Sequence, residues 1–280
     1  MVVIGGGTAG LEAACTAAEV GCNTFLLEKG NELGGLASLI SKIPAKNRLA
    51  DFPHYLMHRA EQLDNLYIFK NTEGTPENIR KFHPNIIVSS TGSAPLLPPI
   101  AGLKDRIDNE NHNIYSILGM ISHINDFPKD LEGKKVVVVG GGAVGLDVVE
   151  FFADRNADIS IVEMMDQIGR DLDPVSKNDT KTMMKKHNVH QLTKTALLEV
   201  KDSSFLVKGD GEPYELPFEY GFVCLGMRAQ GQLYQNLTEE FSSEDVEIMN
   251  IGDSQRARRI IDGTQEGRNI LTILEQKGYL

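Results

Sequence analysis

Two glycine-rich segments with identical spacing contain the residues of this chain that are best suited to bind a nucleotide. The first has Gly5, Gly7 and Gly10, and the second, further along the chain, has Gly140, Gly142 and Gly145. A run of valine and isoleucine precedes each segment, and an acidic residue, Glu28 or Glu163, follows 18 positions after the third glycine. This order predicts a buried strand, a tight turn, a helix and a second strand that ends in the acid, an arrangement that binds dinucleotides.

Each residue type in such a segment has a physical reason. The first glycine permits the tight bend, the second lets the backbone approach a pyrophosphate, and the third lets the helix pack on the strand. The helix start offers free N–H groups and about half a positive charge to the phosphates. The acid accepts hydrogen bonds from ribose hydroxyls, each worth about 1.5 to 3 kcal/mol. Thr8 and Ala9 in the first copy, and Ala143 and Val144 in the second, complete the turns.

The pairing of the two copies predicts two nucleotides held by one chain, the architecture of an enzyme that passes electrons between cofactors. The alternative is that both glycine turns are merely structural. In the second copy Glu163 is followed by Met164, Met165 and Asp166, and no basic residue occurs before Arg170. Carboxylates there repel a 2′-phosphate by about 1 kcal/mol in water and about 4 kcal/mol at intermediate dielectric. We therefore predict that a dinucleotide bound there lacks this phosphate, which for a nicotinamide donor means NADH rather than NADPH.

Composition excludes several other classes of protein. The 280 residues carry a formal charge of −11, which disfavours nucleic acid and anionic membranes as partners. No segment reaches the roughly 20 apolar residues that span a bilayer, and no signal peptide precedes the first strand. We expect a cytoplasmic protein with two domains.

The three cysteines, Cys15, Cys22 and Cys224, form no CxxC pair. Core packing is the expected role of Cys15 and Cys224. A flavin-disulfide mechanism needs a paired dithiol, which this sequence lacks. Hydride transfer between cofactors needs no acid or base from the protein, so we predict no catalytic side chain.

The order of strands predicts an α/β protein with two Rossmann-like, three-layer dinucleotide-binding domains. Thr91 and Gly92 follow one buried strand, and Gly226 follows its counterpart, at almost the same offset from Gly92 as separates the two glycine-rich segments. The strand Val246 to Asp253 has no domain of its own and should return to the first sheet. We therefore predict one dinucleotide-binding domain at 1–108 and 231–280, with a second dinucleotide-binding domain at 109–230 inserted into it.

The same order of motifs resembles the flavoprotein reductases of the pyridine nucleotide type. Within them, it is most similar to the C-terminal reductase half of the old yellow enzyme-like proteins, which include 2,4-dienoyl-CoA reductase, enoate reductase and trimethylamine dehydrogenase. The motifs that carry the resemblance are GGGTAG, Glu28, Leu33-Gly34-Gly35, Thr91-Gly92, GGGAVG and Gly252-Asp253. Thr8 replaces the more usual proline.

The resemblance implies FAD in the first copy and a nicotinamide donor in the second. Near FAD it places, besides the first glycine turn, Glu28, Lys29, Gly34, Gly35, Thr91, Gly92, Gly252, Asp253 and the helix start at Ile260. Near NADH it places, besides the second glycine turn, Glu163 and Gly226. Full-length relatives add a barrel with FMN and an iron–sulfur cluster, so an FMN/4Fe-4S barrel domain or subunit, or another electron acceptor, is the expected partner.

Three functions stay open at this point. The first is an NADH-dependent FAD reductase that feeds an old yellow enzyme-like partner acting on an activated alkene. The second is a self-contained NADH oxidase or electron-carrier reductase, and the third is a non-catalytic module that binds ADP or AMP.

Three other groups of residues have plainer interpretations. His54 and His58 share a helix face without a third ligand, so we predict no metal site. His187 and His190 read as structural residues at a helix end. The five acids in 239–247 predict a solvated loop, with a docking patch for a basic partner as the alternative.

Overall fold

The computed structural model describes residues 1–279, which fold into two compact units of mixed helix and strand. The first unit comprises Met1–Lys42, Lys46–Ala94 and the chain from Arg228 to its end. The second comprises Ile43–Ala45 and Pro95–Met227. The mixed α/β class with parallel sheets is confirmed. The domain boundaries at 108/109 and 230/231, and the assignment of one nucleotide to each domain, stay predictions.

The strands and helices alternate along most of the chain. The strands are β1 (Val2–Ile4), β2 (Thr24–Leu27), β3 (Leu66–Phe69), β4 (Ile86–Ser89), β5 (Ser93–Pro95), β6 (Ile114–Tyr115), β7 (Lys135–Val139), β8 (Asp158–Val162), β9 (His190–Leu192), β10 (Ala196–Val200), β11 (Ser204–Lys208), β12 (Tyr214–Pro217), β13 (Tyr220–Val223), β14 (Met227–Ala229) and β15 (Glu247–Asn250). The helices are α1 (Thr8–Glu19), α2 (Gly35–Ile40), α3 (Asp51–Glu61), α4 (Pro76–Arg80), α5 (Leu103–Arg106), α6 (Ile117–Ser122), α7 (Ala143–Ala153), α8 (Pro174–Lys186), α9 (Gln232–Glu240), α10 (Ile260–Arg268) and α11 (Ile270–Gln276). Short 3-10 turns occur at Pro44–Ala50 and Gly252–Ser254.

The first unit is built on a five-stranded parallel sheet in the order β15-β4-β1-β2-β3. Val2, Val3 and Ile4 of the central strand are buried, as expected for a parallel strand covered on both faces. Because β1 lies between β2 and the later strand β4, the turn that follows β1 opens at the point where the strand order reverses. The return of the C-terminal strand to this sheet is confirmed, since β15 pairs with β4.

The second unit repeats this sheet in the order β6-β13-β7-β8-β9, again with all strands parallel. The outer position that β15 takes in the first sheet is taken here by β6, which precedes the glycine-rich segment in the chain. A separate antiparallel sheet of β10, β11 and β12 adds Phe205 and Val207 to the apolar core of this unit. The glycine turn after β7 therefore has the same place in its sheet as the turn after β1.

Helix α10 packs closely against α1 because small residues line their contact. A Cβ atom at Gly267 would lie 2.6 Å from the carbonyl oxygen of Ala9, and one at Gly263 would lie 3.3 Å from the Ala9 Cβ. Only glycine leaves room for this approach. The contact fixes α10 beside the first glycine turn, although the two segments come from opposite ends of the chain.

A buried group of charges joins α1 to α3 and α10. Glu12 is only 6% exposed, and its Oε1 accepts hydrogen bonds from Arg59 Nη1 at 3.0 Å and Arg268 Nη1 at 3.1 Å. Arg59 also donates through Nη2 to Glu19 Oε2 at 2.7 Å. The hydrogen bond from Arg59 lowers the pKa of Glu19, and the two carboxylates raise the pKa of Arg59. No motif in the sequence predicts this group.

We expect Glu12→Gln to destabilise the first unit by about 2 kcal/mol, because a neutral amide replaces the buried carboxylate that two arginines share, and hydrogen bonds to charged groups are worth about 1.5 to 3 kcal/mol. The free energy of unfolding from urea titration measures the effect. Glu19→Gln is the matched control: it removes a more exposed carboxylate from the same arginine and should cost about 1 kcal/mol or less. Equal losses for the two variants would contradict the special role of Glu12.

None of the helices within residues 1–279 has both the length and the apolar character needed to cross a membrane.

Candidate nucleotide-binding sites

The turn after β1 has a shape that only glycine permits at two of its positions. Gly5 has φ +104°, and a Cβ there would lie 2.4 Å from the Ser90 carbonyl oxygen. A Cβ at Gly10 would lie 2.0 Å from the carbonyl oxygen of Gly5. Gly7 is different, since a Cβ there would meet nothing within 4 Å, which leaves its backbone open to a ligand. The turn thus fits the three predicted roles: Gly5 permits the bend, Gly7 leaves room for a pyrophosphate, and Gly10 lets the helix pack on the strand.

Helix α1 begins directly at this turn. Gly7 is its N-cap residue and makes no side-chain cap, and the first helical hydrogen bond runs from Leu11 N–H to Gly7 O at 2.9 Å. The N–H groups of Thr8 and Ala9 in the first turn therefore have no partner within the helix. Together with the positive end of the helix dipole they form a cradle that suits a pyrophosphate.

Glu28 lies at the end of β2, where the sequence predicts a ribose ligand. Its Oε2 accepts a hydrogen bond from Gly6 N–H at 2.7 Å, and its Oε1 accepts one from Gly30 N–H at 2.7 Å. The carboxylate is therefore fixed against the glycine turn and keeps lone pairs that can accept from ribose hydroxyls. Lys29 beside it is exposed.

The second site repeats this geometry atom by atom. Gly140 has φ +110°, and a Cβ at Gly145 would lie 1.9 Å from the Gly140 carbonyl oxygen. Gly142 caps α7, so Ala143 and Val144 occupy its first turn, as Thr8 and Ala9 do in α1. Glu163 Oε2 accepts from Gly141 N–H at 2.7 Å, and Oε1 accepts from Met165 N–H at 2.7 Å. The two acids thus hold their turns through the same pair of backbone hydrogen bonds.

A second glycine supports each turn, and the sequence analysis found only one of them. Gly34 has φ +96° and donates its N–H to Gly6 O at 2.7 Å. Gly169 has φ +66° and donates to Gly141 O at 2.7 Å. Gly34 and Gly169 are separated by the same offset as Gly5 and Gly140, and this was the signal that could have identified Gly169. Gly35 approaches the first turn, since its Cβ would lie 3.0 Å from the Gly7 Cα.

The strand next to each glycine turn is followed by predicted site residues. Thr91 and Gly92 follow β4, the neighbour of β1, and Gly226 follows β13, the neighbour of β7. Thr91 Oγ1 donates to Gln230 O at 2.7 Å, and Gln230 N–H donates to Gly92 O at 2.9 Å. Gly226 has φ +100°, and its carbonyl oxygen accepts from Leu96 N–H at 2.9 Å. Both glycines have a backbone conformation that other residues rarely adopt.

The segment after β15 meets the first glycine turn. Gly252 packs so closely on α1 that a Cβ would lie 2.8 Å from the Ala9 Cβ. Asp253 accepts hydrogen bonds from Ser93 Oγ at 2.9 Å and from Arg258 N–H at 3.0 Å. Ile260 begins α10 and is 38% exposed. The structure therefore brings Gly252, Asp253 and the start of α10 to the first site, as the resemblance implies.

Two contacts of this segment were missed by the sequence analysis. Ser93 orients Asp253, and Glu266 Oε2 accepts from Gly252 N–H at 2.7 Å. Ser93 is 160 residues away from Asp253, and Glu266 is 14 residues away from Gly252. No short sequence motif connects residues at these separations.

The cysteines are unpaired, and burial raises their pKa values. The pKa of Cys15 rises to about 11 and that of Cys224 to about 12, and Cys22 is half-buried. Cys224 directly follows β13 and is buried. Thiols with such high pKa values are poor nucleophiles at neutral pH. Their environment fits core packing.

The histidines and the acidic segment have ordinary contacts. In the described part of the chain no group of three or more His, Cys, Asp or Glu residues could hold a metal ion. The prediction of a solvated loop at 239–247 is wrong in part, because α9 extends to Glu240, β15 begins at Glu247 and one side chain between them is buried. Phe241 is only 2% exposed, and Arg80 pairs with Glu240 at 2.7 Å and with Glu244 at 3.0 Å. The segment is thus anchored on the first unit by an arginine that also stacks on the Phe241 ring.

Known proteins resemble the chain over nearly its whole length. An NADH oxidase of Thermoanaerobacter brockii is 28% identical over 268 residues, which are 95% of this chain and 40% of the relative. A metal reductase of Desulforamulus reducens is 27% identical over 305 residues, covering 96% of this chain and 43% of the relative. The chain therefore spans about two fifths of the length of these relatives.

A solved structure shows the same fold. The structure of a 2-naphthoyl-CoA reductase complex superposes with a TM-score of 0.81 at 23% identity, covering 96% of this chain and 39% of that one. The family described as pyridine nucleotide-disulphide oxidoreductase matches residues 1–248. With the two glycine turns in place, the chain belongs to the pyridine nucleotide-disulphide oxidoreductase family, whose members are oxidoreductases that use FAD and NAD(P)H.

Proposed function

We propose that the chain is an NADH-dependent FAD reductase module that holds FAD at the first glycine turn and NADH at the second. The observation that carries the proposal is the duplicated geometry. In each copy a carboxylate accepts two backbone hydrogen bonds at 2.7 Å beside a helix start. Two such sites suit two dinucleotides, and electron transfer between a nicotinamide and a flavin is the activity that needs both.

The assignment of FAD to the first site is supported by the segments gathered there. Asp253 and the start of α10 lie beside this turn, because Gly252 contacts Ala9. The positive end of α10 suits the negative charge that a reduced flavin carries. In the second sheet the corresponding outer strand is β6. This strand precedes the second glycine turn in the chain, whereas β15 follows the first glycine turn and lies near the C-terminus. The helix start that suits a reduced flavin therefore lies at the first site.

The assignment of NADH to the second site is supported by its charges. Glu163 is held against the turn by two N–H groups, so its carboxylate cannot swing away from an added 2′-phosphate without breaking them. Asp166 lies three residues further along the exposed loop. The repulsion expected from such carboxylates favours NADH by about 1 to 4 kcal/mol.

The chain's residues bind and orient, and the cofactors supply the chemistry. Hydride transfer from the nicotinamide to the flavin is the reaction that bound FAD and NADH provide. The glycine turns position the two pyrophosphates, Glu28 and Glu163 position the adenosine riboses, and Asp253 with α10 provides polar contacts and positive potential at the first site. We assign no acid or base catalyst to a side chain.

The electron acceptor in this proposal is an old yellow enzyme-like domain or subunit that carries FMN and an iron–sulfur cluster and reduces an activated alkene. Support comes from the 2-naphthoyl-CoA reductase, whose chain is more than twice as long as the part that this fold covers. A stand-alone NADH oxidase is the second candidate, supported by the relative of that name. A cytoplasmic location remains part of the proposal.

An anaerobic visible spectrum tests the proposal. The purified protein, supplied with FAD, is titrated with stoichiometric NADH and, separately, with NADPH. We expect flavin bands that bleach with NADH far faster than with NADPH. A protein that takes up no flavin, or a bound flavin that NADH cannot bleach, contradicts the reductase function and favours the non-catalytic ADP-binding module. Rapid reoxidation by oxygen alone, with hydrogen peroxide as product, would favour the NADH oxidase.

A further inference from the structure

The segment that follows β15 is irregular, yet it carries Asp253 to the first site. It begins with the short 3-10 turn Gly252–Ser254 and continues through residues 255–259 to the start of α10. Gly252 has φ +68°, a left-handed conformation that favours glycine. Fixing an irregular segment in one conformation costs conformational entropy. Side-chain contacts therefore have to hold Asp253 in place.

Glu266 of α10 ties the two ends of this segment together. Its Oε2 accepts a hydrogen bond from Gly252 N–H at 2.7 Å, and its Oε1 accepts one from Arg258 Nη2. Gly252 directly precedes Asp253, and Arg258 lies two residues before the start of α10. The Arg258 and Glu266 side chains are 28% and 25% exposed, so salt screens this ion pair less than one on the open surface. One carboxylate thus holds both ends of the segment.

Arg258 connects this ion pair to Asp253. Its side chain donates to Glu266, while its backbone N–H donates to Asp253 Oδ1 at 3.0 Å. Ser93 Oγ donates to Asp253 Oδ2 at 2.9 Å. Each carboxylate oxygen of Asp253 therefore has a protein donor and keeps a lone pair that can accept from a ligand hydroxyl. A movement of Arg258 away from Glu266 would displace the N–H group that orients this carboxylate.

The sheet order places Asp253 and Glu28 on opposite sides of the first glycine turn. Glu28 follows β2 on one side of β1, and Asp253 follows β15 on the other side, beyond β4. Neighbouring strands lie about 4.8 Å apart, so β2 and β15 are about 14 Å apart across the sheet. A dinucleotide whose pyrophosphate lies at the turn and whose adenosine lies beside Glu28 therefore extends its other half toward Asp253.

We propose that Glu266 and Arg258 are positioning residues that hold Asp253 for the flavin half of FAD, and that they thereby make the first site select FAD over ADP. This inference rests on the proposed function, because it needs FAD at the first site. The second unit provides a contrast. Its outer strand β6 precedes the glycine turn, and within the described residues no segment equivalent to 252–266 follows its sheet. The selection is thus a property of the first site.

Equilibrium dialysis of the 280-residue chain against FAD, followed by displacement with ADP, tests the inference. Glu266→Gln keeps the size of the side chain but removes its charge and leaves one accepting oxygen. We expect the dissociation constant of FAD to rise about tenfold, and that of ADP, measured by its displacement of FAD, to stay unchanged. Arg258→Gln should give the same pattern. Glu275→Gln, which removes an exposed carboxylate from α11, is the charge control and should change neither constant.

A double-mutant cycle shows whether Glu266 acts through Asp253. Asp253→Asn should itself weaken FAD binding about tenfold, because a ribityl hydroxyl donates more weakly to an amide. Adding Glu266→Gln should then cause little further loss, since the carboxylate that Glu266 helps to hold is already absent. Circular dichroism confirms that each variant is folded. Fully additive losses would mean that the two residues act independently, which contradicts the inference.

The FAD and ADP constants separate the ways in which the inference can fail. If Glu266→Gln binds FAD as tightly as the wild type, the positioning role is wrong and the proposed function stands. If the affinities for FAD and ADP fall by the same factor, Glu266 only supports the glycine turn, and the selection of FAD is again wrong. A wild-type chain that binds no FAD would overturn the proposed function, and the inference with it.

Discussion

Gly145→Ala is expected to slow reduction of the bound flavin about tenfold or more at NADH concentrations below saturation, while leaving the flavin content of the protein unchanged. The new Cβ would lie 1.9 Å from the Gly140 carbonyl oxygen, which belongs to the turn itself. Relief requires α7 to move away from β7, and such overpacking costs about 1 to 3 kcal/mol or more. The helix start would no longer face the pyrophosphate, so NADH affinity should fall about tenfold or more. Anaerobic stopped-flow absorbance measures the reduction rate.

Gly10→Ala should give the reciprocal result. Its Cβ would lie 2.0 Å from the Gly5 carbonyl oxygen, so the damage falls on the first turn. We expect FAD to be lost, while calorimetry still detects ADP-ribose at the second unit. If Gly10→Ala instead retained FAD and Gly145→Ala lost it, the assignment of the two nucleotides would be reversed.

Gly142→Ala is the matched control for Gly145→Ala. Gly142 has φ −80°, and a Cβ there meets nothing within 4 Å, so the protein should fold with unchanged stability. Because the added methyl group would stand in the open space that the pyrophosphate needs, NADH binding should weaken without loss of the turn. Reduction at the wild-type rate in Gly145→Ala would contradict the role of the second turn.

The roles of site residues that lie close together in the sequence could be predicted, because these roles depend on local backbone geometry. The glycines and the acid of each turn lie in one short stretch of chain, and the repetition of that stretch at a constant offset predicted two sites and the parallel sheets around them. The strand 246–253 could be placed for a topological reason, since one unpaired strand must join an existing sheet. Gly169 was predictable in principle from Gly34, because the same offset relates them.

The remaining contacts depend on long-range packing that has no sequence pattern. Glu12 meets Arg59 and Arg268 because three helices approach each other, and the spacing of 47 and 256 residues between these partners has no period. Glu28 and Glu163 were predicted as ribose ligands, but their bonds to the turn depend on where Gly6 and Gly141 direct their N–H groups. Such bonds follow from the folded turn and cannot be derived from the residue type alone.

Glu163→Gln is expected to reduce the preference for NADH over NADPH by about fivefold or more, since about 1 kcal/mol of charge repulsion corresponds to that ratio. The amide keeps the size of the side chain and removes its charge. The KM for NADH should rise, because a ribose hydroxyl donates more weakly to an amide than to a carboxylate. The KM for NADPH should rise less or fall. Steady-state reduction of an artificial electron acceptor with both nucleotides measures the ratio.

The two backbone hydrogen bonds of Glu163 give this residue a structural role, which the same KM measurements distinguish from nucleotide discrimination. A glutamine can accept from only one of Gly141 N–H and Met165 N–H through its single oxygen, so the substitution also loosens the turn. If that structural role were the whole function of Glu163, the KM values for NADH and NADPH would rise by the same factor and the preference would not change. Glu28→Gln separates the two sites, because the same loss in the first turn should lower FAD retention and leave the NADH to NADPH ratio as it was. A shifted ratio in Glu163→Gln alone would therefore locate nucleotide discrimination at the second acid.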